Sequence, residues 1–535
     1  MPGLGDVTSV RAIGVIGSAA AVSRLWDRPP FVDGDAVRRP WRRMTATVSE
    51  GGELYSGGDE TRAPASEEVA VETSAGASPA AFVRRWTDHG LRLSERVGEP
   101  PDDRLTPAAR FDGKVASALA LVGDAAIEMR LRVGRTTSGT TPCDGVDAAC
   151  AQFLLLRGEP QAFFNLVRTA IKDADGALRL AIGRDCAINA ALAGPPDAGL
   201  IAPMKISIDP DADAGEALAE GLAACAARLL ETRSFLADGR SPEGARHARV
   251  ALRRLRSFEK CFRDAVAGDR LRKLSRRARR LARQIGAARD WDVFISETLP
   301  MSGVDGFEPK GARRLMKAAA RCRKAEWRRV EAAVAAPSFD QLALDAFAAA
   351  ASQDWRRDGS AALSDPAKAF AAVALDERAS ELQDVAARIA VDDPATLHDL
   401  RLSLKRFRYV AQIFKPAYAK EIRKPYFKRL GALQESLGVL NDNVVAERLC
   451  DAAAAGEGAR AVRAAGFVCG VSRQRATDAA TTAIDACRAL LETPPFWRDG
   501  EATPILGDRR FQELAELLRD MSGAASGGSK ADDRS

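Results

Sequence analysis

The sequence is poor in the residues that most metal sites and many catalytic sites need. Only 3 histidines occur in 535 residues, and the 9 cysteines are scattered without a Cys-x-x-Cys pair. Structural zinc sites take their ligands from close groups of cysteine and histidine, so no metal site is predicted. Unpaired cysteines are typical of a reducing compartment, which predicts a cytoplasmic protein. The chain also lacks a P-loop, a Gly-x-Ser-x-Gly elbow and a His-Glu-x-x-His motif, so neither a catalytic group nor a cofactor is predicted.

Aromatic residues and long apolar runs are also scarce. Aromatics make up 6% of the chain, with only 4 tyrosines. Single-stranded nucleic acids are usually held by stacking their bases on aromatic side chains, so this shortage disfavours a nucleic-acid partner. A helix that spans a bilayer needs about 20 apolar residues, and the apolar stretch at 12–22 is too short. We therefore expect no membrane partner.

The length and the local composition of the chain predict that it is divided into three regions. A domain usually holds about 100–200 residues, so 535 residues indicate more than one domain. Residues 1–205 are predicted to form an α+β domain and residues 206–498 an all-helical domain rich in Ala, Leu and Arg. Residues 499–535 are predicted to form one amphipathic helix and a disordered tail.

The α+β prediction depends on a few local patterns. The apolar spacing at Phe163, Phe164, Val167 and Ile171 predicts a helix over Pro160–Asp173. Clusters of Gly, Pro and Asp separate the short segments that are predicted to be strands. These segments are residues 44–48, 69–72, 126–133 and 152–156.

The charge of the chain is small in total but unevenly distributed. The formal net charge is +6, from 79 Lys and Arg against 73 Asp and Glu. The excess lies in the helical part, and between positions 246 and 289 the only acids are Glu259, Asp264 and Asp269. A local concentration of positive charge of this kind favours a polyanionic partner.

An internal repeat organises the helical part. Residues 246–256 resemble residues 398–408 at an offset of 152 positions. Arg249 is followed after 37 residues by Gly286, and Arg401 is followed after 37 residues by Gly438. The repeat predicts two helical halves related by pseudo-symmetry.

Each copy of the repeat places cations on one stripe of a helix. Like charges at this spacing cost roughly 0.2–0.5 kcal/mol per pair, so an anion is expected to offset them. Arginine offers a planar fork and lysine a mobile charge, a mixture that suits a chain of phosphates. A solvated charged face is the alternative. The predicted polyanion-binding residues are Arg246, Arg249, Arg253, Arg256, Lys260, Lys273, Arg276, Arg280, His398, Arg401, Lys405, Arg408 and Lys428.

These motifs resemble the CHAD domain, the conserved histidine α-helical domain. The resemblance is carried by the repeated His-x-x-Arg-x-x-x-Lys/Arg-Arg-x-Arg helix, by residues 285–293 (IGAARDWDV) and by residues 433–442 (LQESLGVLND). It implies two pseudo-symmetric four-helix bundles around a basic groove that binds inorganic polyphosphate, often with targeting to polyphosphate granules.

The first copy of the repeat departs from this pattern at the histidine. Arg246 stands where the family has histidine, and His247 is displaced by about 100° around the helix. An arginine that never titrates would keep phosphate binding and remove pH sensitivity at that position. His398 keeps the family's position in the second copy, with a structural histidine at a helix start as the alternative.

Residues 1–205 resemble a degenerate CYTH domain, the β-barrel of the triphosphate tunnel enzymes. Such enzymes need alternating carboxylates for a metal ion. Here residues 152–156 read QFLLL, and Glu128 is a single carboxylate in its segment. We therefore expect a non-catalytic protein. The alternatives are a metal-dependent triphosphatase and a nucleic-acid-binding or scaffold protein that uses the basic face. Asp290, Asp292 and Asp442 are expected to orient arginines or cap helices rather than bind metal.

Overall fold

The structure is a computed structural model of the whole chain, and its first part is an antiparallel sheet with two helices. The predicted C-terminal helix and tail of 499–535 lie outside the described residues. The described residues are 12–33, 35–50, 67–74, 80–86, 92–96, 106–138, 146–174, 176–181, 204, 206, 208–209, 211–237, 242–389 and 393–498.

In the described residues, nine antiparallel strands form one sheet in the order β5-β4-β3-β2-β6-β7-β8-β1-β9. All four predicted strand segments lie within β2, β3, β7 and β8, so the α+β character is confirmed. Because β5 and β9 end this order in the described residues, closure into a CYTH-like barrel stays a prediction. The strands are β1 (Ala12–Gly17), β2 (Val37–Glu50), β3 (Glu67–Ser74), β4 (Ala80–Trp86), β5 (Arg92–Arg96), β6 (Thr106–Val122), β7 (Ala125–Ser138), β8 (Val146–Arg157) and β9 (Leu178–Ala181).

Two helices accompany the sheet, α1 (Ala19–Ser23) and α2 (Pro160–Asp173), and α2 has the predicted bounds. Successive side chains of β7 point to opposite faces of the sheet, and Ile127, Met129 and Leu131 are buried on one of these faces. The apolar face of α2 is buried in the same core and also contacts the helical domain. The sheet and the helices therefore share one continuous core.

From residue 211 to residue 498 the described chain is helical, as predicted. No helix in the described residues is both long and apolar enough to cross a membrane. The predicted boundaries at 205 and 498 stay predictions. The helices are α3 (Ala214–Glu231), α4 (Arg233–Ala237), α5 (Pro242–Phe262), α6 (Arg270–Val293), α7 (Leu299–Ser302), α8 (Val304–Phe307), α9 (Pro309–Ala335), α10 (Pro337–Ser352), α11 (Trp355–Asp358), α12 (Ala367–Ala386), α13 (Pro394–Phe414), α14 (Lys420–Ala454) and α15 (Ala459–Leu491).

The two copies of the repeat are α5 and α13, and these helices pack against each other. Phe262 of α5 lies 4.7 Å from Phe370 of α12 and 6.1 Å from Phe414 of α13, measured between ring centroids. The buried apolar side chains of α13, and those of α5 except Ala251, belong to the large core. This packing brings the cationic stripes of the two copies together. The division into two four-helix bundles stays a prediction.

Buried ion pairs join the sheet to the helical domain. Asp340 of α10 is 0% exposed and accepts hydrogen bonds from Arg179 of β9 at 3.4 Å and from Arg233 of α4. Asp345, one and a half turns further along α10, accepts a bond from Arg168 of α2 at 2.7 Å and one from Arg277 of α6. The helix α6 is thus fixed to the sheet domain through α10.

A second, smaller core lies where α6 ends and α9, α14 and α15 meet. It forms around the π-helical turn Phe294–Thr298 and contains buried side chains from that turn and from six helices, α6, α7, α8, α9, α14 and α15. Its buried residues are Trp291, Phe294, Leu299, Val304, Leu315, Ala318, Ala319, Leu449, Cys450, Ala453, Ala464, Ala465 and Val468.

Candidate polyanion-binding site

A cavity of about 440 Å³ lies between α5, α6, α13 and α14, and we call it the basic groove. Its cationic lining residues are Arg249, Arg253 and Arg256 of α5, Arg279 and Arg283 of α6, and Arg401, Lys405 and Arg408 of α13. Its other lining residues are Ala282, Leu404, Tyr409, Gln434, Leu437 and Gly438. Within the described chain, no acidic side chain is among these lining residues.

The sequence predicted the central part of this groove. Six of the thirteen predicted site residues line it, three on α5 and three on α13. Positions separated by three or four residues lie on one face of a helix, and in both copies that face borders the cavity. These six are Arg249, Arg253, Arg256, Arg401, Lys405 and Arg408.

The other seven predicted residues lie outside the lining of the groove. Arg246 is exposed and donates to Glu243 of its own helix at 2.7 Å. Lys273 pairs with Asp269 at 3.1 Å. Five more are exposed at their positions on α5, α6, α13 and α14. They are Lys260, Arg276, Arg280, His398 and Lys428. Their contact with a ligand stays a prediction.

Neither histidine of the repeated motif lines the groove. His247 is only 5% exposed and lies 3.1 Å from the guanidinium of Arg246, measured from its Nε2. Burial, followed by the charge of Arg246, lowers the pKa of His247, so its ring stays neutral at pH 7. His398 is exposed near the start of α13.

The two copies of the repeat build similar contacts with the following helix. The guanidinium carbon of Arg249 lies 4.0 Å from the position that a Cβ atom would take at Gly286. Arg401 donates to the carbonyl oxygen of Leu437 at 2.7 Å, beside Gly438. The spacing of 37 residues therefore places each arginine next to the equivalent turn of α6 or α14.

Asp290 and Asp292 pair with arginines, as predicted, and the expected role of Asp442 stays a prediction. Asp290 lies 3.7 Å from Arg249 and accepts a bond from Arg448 of α14 at 3.1 Å. Asp292 is buried and accepts bonds from Arg323 at 2.6 Å and from the indole of Trp327 at 3.2 Å. Asp290 borders the groove and Asp292 lies further along α6. Both carboxylates pair with arginines, while Oδ2 of Asp292 has no hydrogen-bond partner among the described residues.

The pKa values of several groove cations are lowered because these side chains are buried close to one another. Burial and the neighbouring arginines, Arg401 first among them, lower the pKa of Lys405 to about 8. Burial and the charge of Arg253 lower the pKa of Arg408 to about 10. Burial also lowers the pKa of Arg249. Because the protein provides too little negative charge, an anion in the groove would stabilise all of these cations.

The groove also offers hydrogen-bond donors without acceptors. In the described residues, the buried Nε of Arg253 has no hydrogen-bond partner. Leaving a buried donor unpaired costs about 1–3 kcal/mol. An oxyanion in the groove would satisfy it, since phosphate oxygens accept charge-assisted bonds from guanidinium groups.

Four polar residues of the lining are not among the predicted site residues: Arg279, Arg283, Tyr409 and Gln434. Along α6 cations occur on almost every exposed side, so their spacing does not show which of them face α5. The buried residue Ala278 is the useful signal, because it places Arg279 at one edge of the packed face.

The sheet domain holds its single candidate carboxylate in an ion pair. Both oxygens of Glu128 accept bonds from the guanidinium of Arg130, each at 2.9 Å. In the described part of the chain no group of three His, Cys, Asp or Glu side chains could hold a metal ion. The structure thus gives Glu128 an arginine as its partner.

The fold and the groove define a helical domain that presents two copies of a basic helix to one cavity. Comparison with known families shows that the chain contains a CHAD domain, since the family model of the CHAD domain matches residues 220–451. This match includes every residue that lines the groove.

Two solved structures are similar to this chain. The CHAD domain from the plant Ricinus communis is 29% identical, with a TM-score of 0.46, and the match covers 53% of this chain and 97% of that one. PptA from Streptomyces chartreusis is 17% identical, with a TM-score of 0.41, and the match covers 51% of this chain and 99% of that one. The comparison with curated proteins found no match.

Proposed function

We propose that this protein binds inorganic polyphosphate in the basic groove and does not catalyse a reaction on it. The observation that carries the proposal is the lining of one cavity by eight cations from three helices. The resemblance of the repeated helices to the CHAD domain, which implies polyphosphate binding, supports the same ligand.

The chemistry of the lining favours a chain of phosphates over a nucleic acid. Guanidinium forks pair with two phosphate oxygens, and a polyphosphate chain presents such oxygens on every unit. Tyr409 is the aromatic residue in the lining, whereas proteins that bind single strands stack successive bases on several aromatics. The ligand is therefore recognised through its charge and its oxygens alone.

The non-catalytic part of the proposal is supported by the contacts of Glu128. A carboxylate that holds a metal ion for hydrolysis must offer free oxygens to that ion. Both oxygens of Glu128 accept from Arg130 instead. We extend the proposal to a cytoplasmic location on polyphosphate granules, which the CHAD resemblance implies.

The test is the affinity of the full chain for long-chain polyphosphate over a salt series. We expect affinity far above that for an equal charge of monophosphate, and a steep loss with salt because each contact releases counterions. Equal affinity for the two ligands would refute polyphosphate binding. Displacement of polyphosphate by duplex DNA at equal phosphate concentration would favour a nucleic-acid partner.

A separate assay tests the non-catalytic part. We expect no phosphate release from tripolyphosphate with Mg²⁺ or Mn²⁺. Release that is lost in Glu128→Ala would show a triphosphatase in the sheet domain instead.

A further inference from the structure

Two cysteines on neighbouring helices belong to the second core, far along α14 from the basic groove. Cys450 of α14 is 0% exposed, and Cys469 of α15 is half-buried. Both thiols are free, and Cys322 of α9 packs against the same core. The second core thus brings together cysteines from three different helices.

The register of α14 and α15 places Cys450 opposite Cys469. Arg473 of α15 donates to Glu447 of α14 at 2.5 Å, one turn away from the cysteine pair. Cys450 is buried within the second core and Cys469 packs against the same core. Alanines at the helix contact, such as Ala453 and Ala465, let the two backbones approach closely. A disulfide needs Cβ atoms about 3.8 Å apart, and a bond here requires that the close packing of α14 and α15 allows these two positions to reach that distance.

The two cysteines are not chemically equivalent. The neighbouring Cys450 thiol lowers the pKa of Cys469, and the charge of Arg473 acts in the same direction. The neighbouring Cys469 thiol, together with burial, raises the pKa of Cys450. The thiolate is the attacking species in thiol–disulfide exchange. Cys469 is also the more accessible of the two, so it is the residue that meets an oxidant first.

We propose that Cys450 and Cys469 are a redox-sensitive pair that closes to an intramolecular disulfide between α14 and α15 when it meets a low-molecular-weight disulfide. The Cys469 thiolate attacks one sulfur of oxidised glutathione, forms a mixed disulfide and releases one glutathione thiolate. Cys450 then loses its proton to solvent, attacks the Cys469 sulfur and expels the second glutathione thiolate. Two protein thiols are oxidised and one glutathione disulfide is reduced to two thiols.

The experiment incubates the full chain over a range of ratios of reduced to oxidised glutathione, alkylates the remaining thiols and maps the tryptic peptides. Trypsin separates Cys450, in residues 449–460, from Cys469, in residues 464–473. We expect these two peptides to become linked, with the loss of two hydrogen masses. Absence of the link at the most oxidising ratio, or a link from Cys469 to Cys322 instead, would overturn the proposal.

Two variants and two internal controls sharpen the result. In Cys450→Ala the glutathione on Cys469 should persist, because the resolving thiol is gone, and Cys469→Ala should leave Cys450 reduced. Glutathione that appears first on Cys450 would contradict the assigned order. Cys225 and Cys487 are buried with pKa values raised to about 12 and should stay reduced throughout.

Discussion

The affinity for polyphosphate should depend on pH through Lys405. Burial and the adjacent arginines lower the pKa of this lysine to about 8 in the free groove. A bound phosphate chain favours the charged ammonium and raises that pKa again. The contribution of Lys405 to binding is therefore fully present below pH 8 and is lost as the pH rises above 8.

The size of the effect follows from the charged fraction. Between pH 7 and pH 9 the charged fraction of a lysine with this pKa falls about tenfold, so the affinity should fall by up to about tenfold, or ~1.4 kcal/mol. The pKa of Arg408 is about 10. Its loss of charge is thus small over this interval, and the decrease reports mainly on Lys405.

The assay is equilibrium binding of long-chain polyphosphate at constant ionic strength, from pH 7 to pH 9. Internal phosphates of a long chain stay ionised throughout, so the ligand contributes little to the change. Lys405→Arg should keep strong binding and flatten the pH profile. Lys405→Met should bind more weakly at pH 7 and match the original protein near pH 9. Equal pH profiles for the original protein and Lys405→Arg would refute this reasoning.

Two further predictions concern stability, measured by urea unfolding. Asp340→Asn removes a fully buried carboxylate that pairs with Arg179 and Arg233, and it should lower the free energy of unfolding by about 3–5 kcal/mol. A loss below about 1 kcal/mol would show that these ion pairs contribute little to holding the sheet against the helices. Phe262→Ala empties a site that is 0% exposed between the two copies of the repeat and should cost about 3–5 kcal/mol. Leu402→Ala, at a side chain 39% exposed on α13, is the matched control and should change stability by about 0.5 kcal/mol or less.

The elements of the fold were largely readable in the sequence because burial imposes a period on each of them. The spacing of Phe163, Phe164, Val167 and Ile171 predicted α2 with its bounds, since those four side chains are all buried and form its buried face together with Ala170. The order of the nine strands was not predictable in the same way. Strand pairing depends on contacts between distant segments. Apolar residues at every second position indicate a strand but do not show which other strand pairs with it.

The centre of the groove was predicted and its edges were not. A helical stripe fixes the direction in which Arg253 and Arg408 point, and the repeat indicates that two such stripes act together. Neither the stripe nor the repeat determines how far a partner helix extends along the stripe. Arg246 continues the stripe of α5 but pairs with Glu243 outside the cavity. Which cations of α6 reach the groove depends on how α5 and α6 cross, and no local sequence pattern contains that information.

Polyphosphate affinity after charge reversal in the groove tests the central claim most directly. Arg249→Glu combined with Arg401→Glu reverses one groove cation in each copy of the repeat. Lys317→Glu combined with Lys324→Glu makes the same change in net charge on the exposed face of α9. Circular dichroism confirms equal helical content before the affinities are compared.

The groove variant should lose about 100-fold or more in affinity, since each charge-assisted contact is worth about 1.5–3 kcal/mol and two are replaced by repulsion. The α9 variant should stay within a few-fold of the original protein at the same salt concentration. Equal losses in the two variants would contradict binding in the groove and leave only a response to net charge.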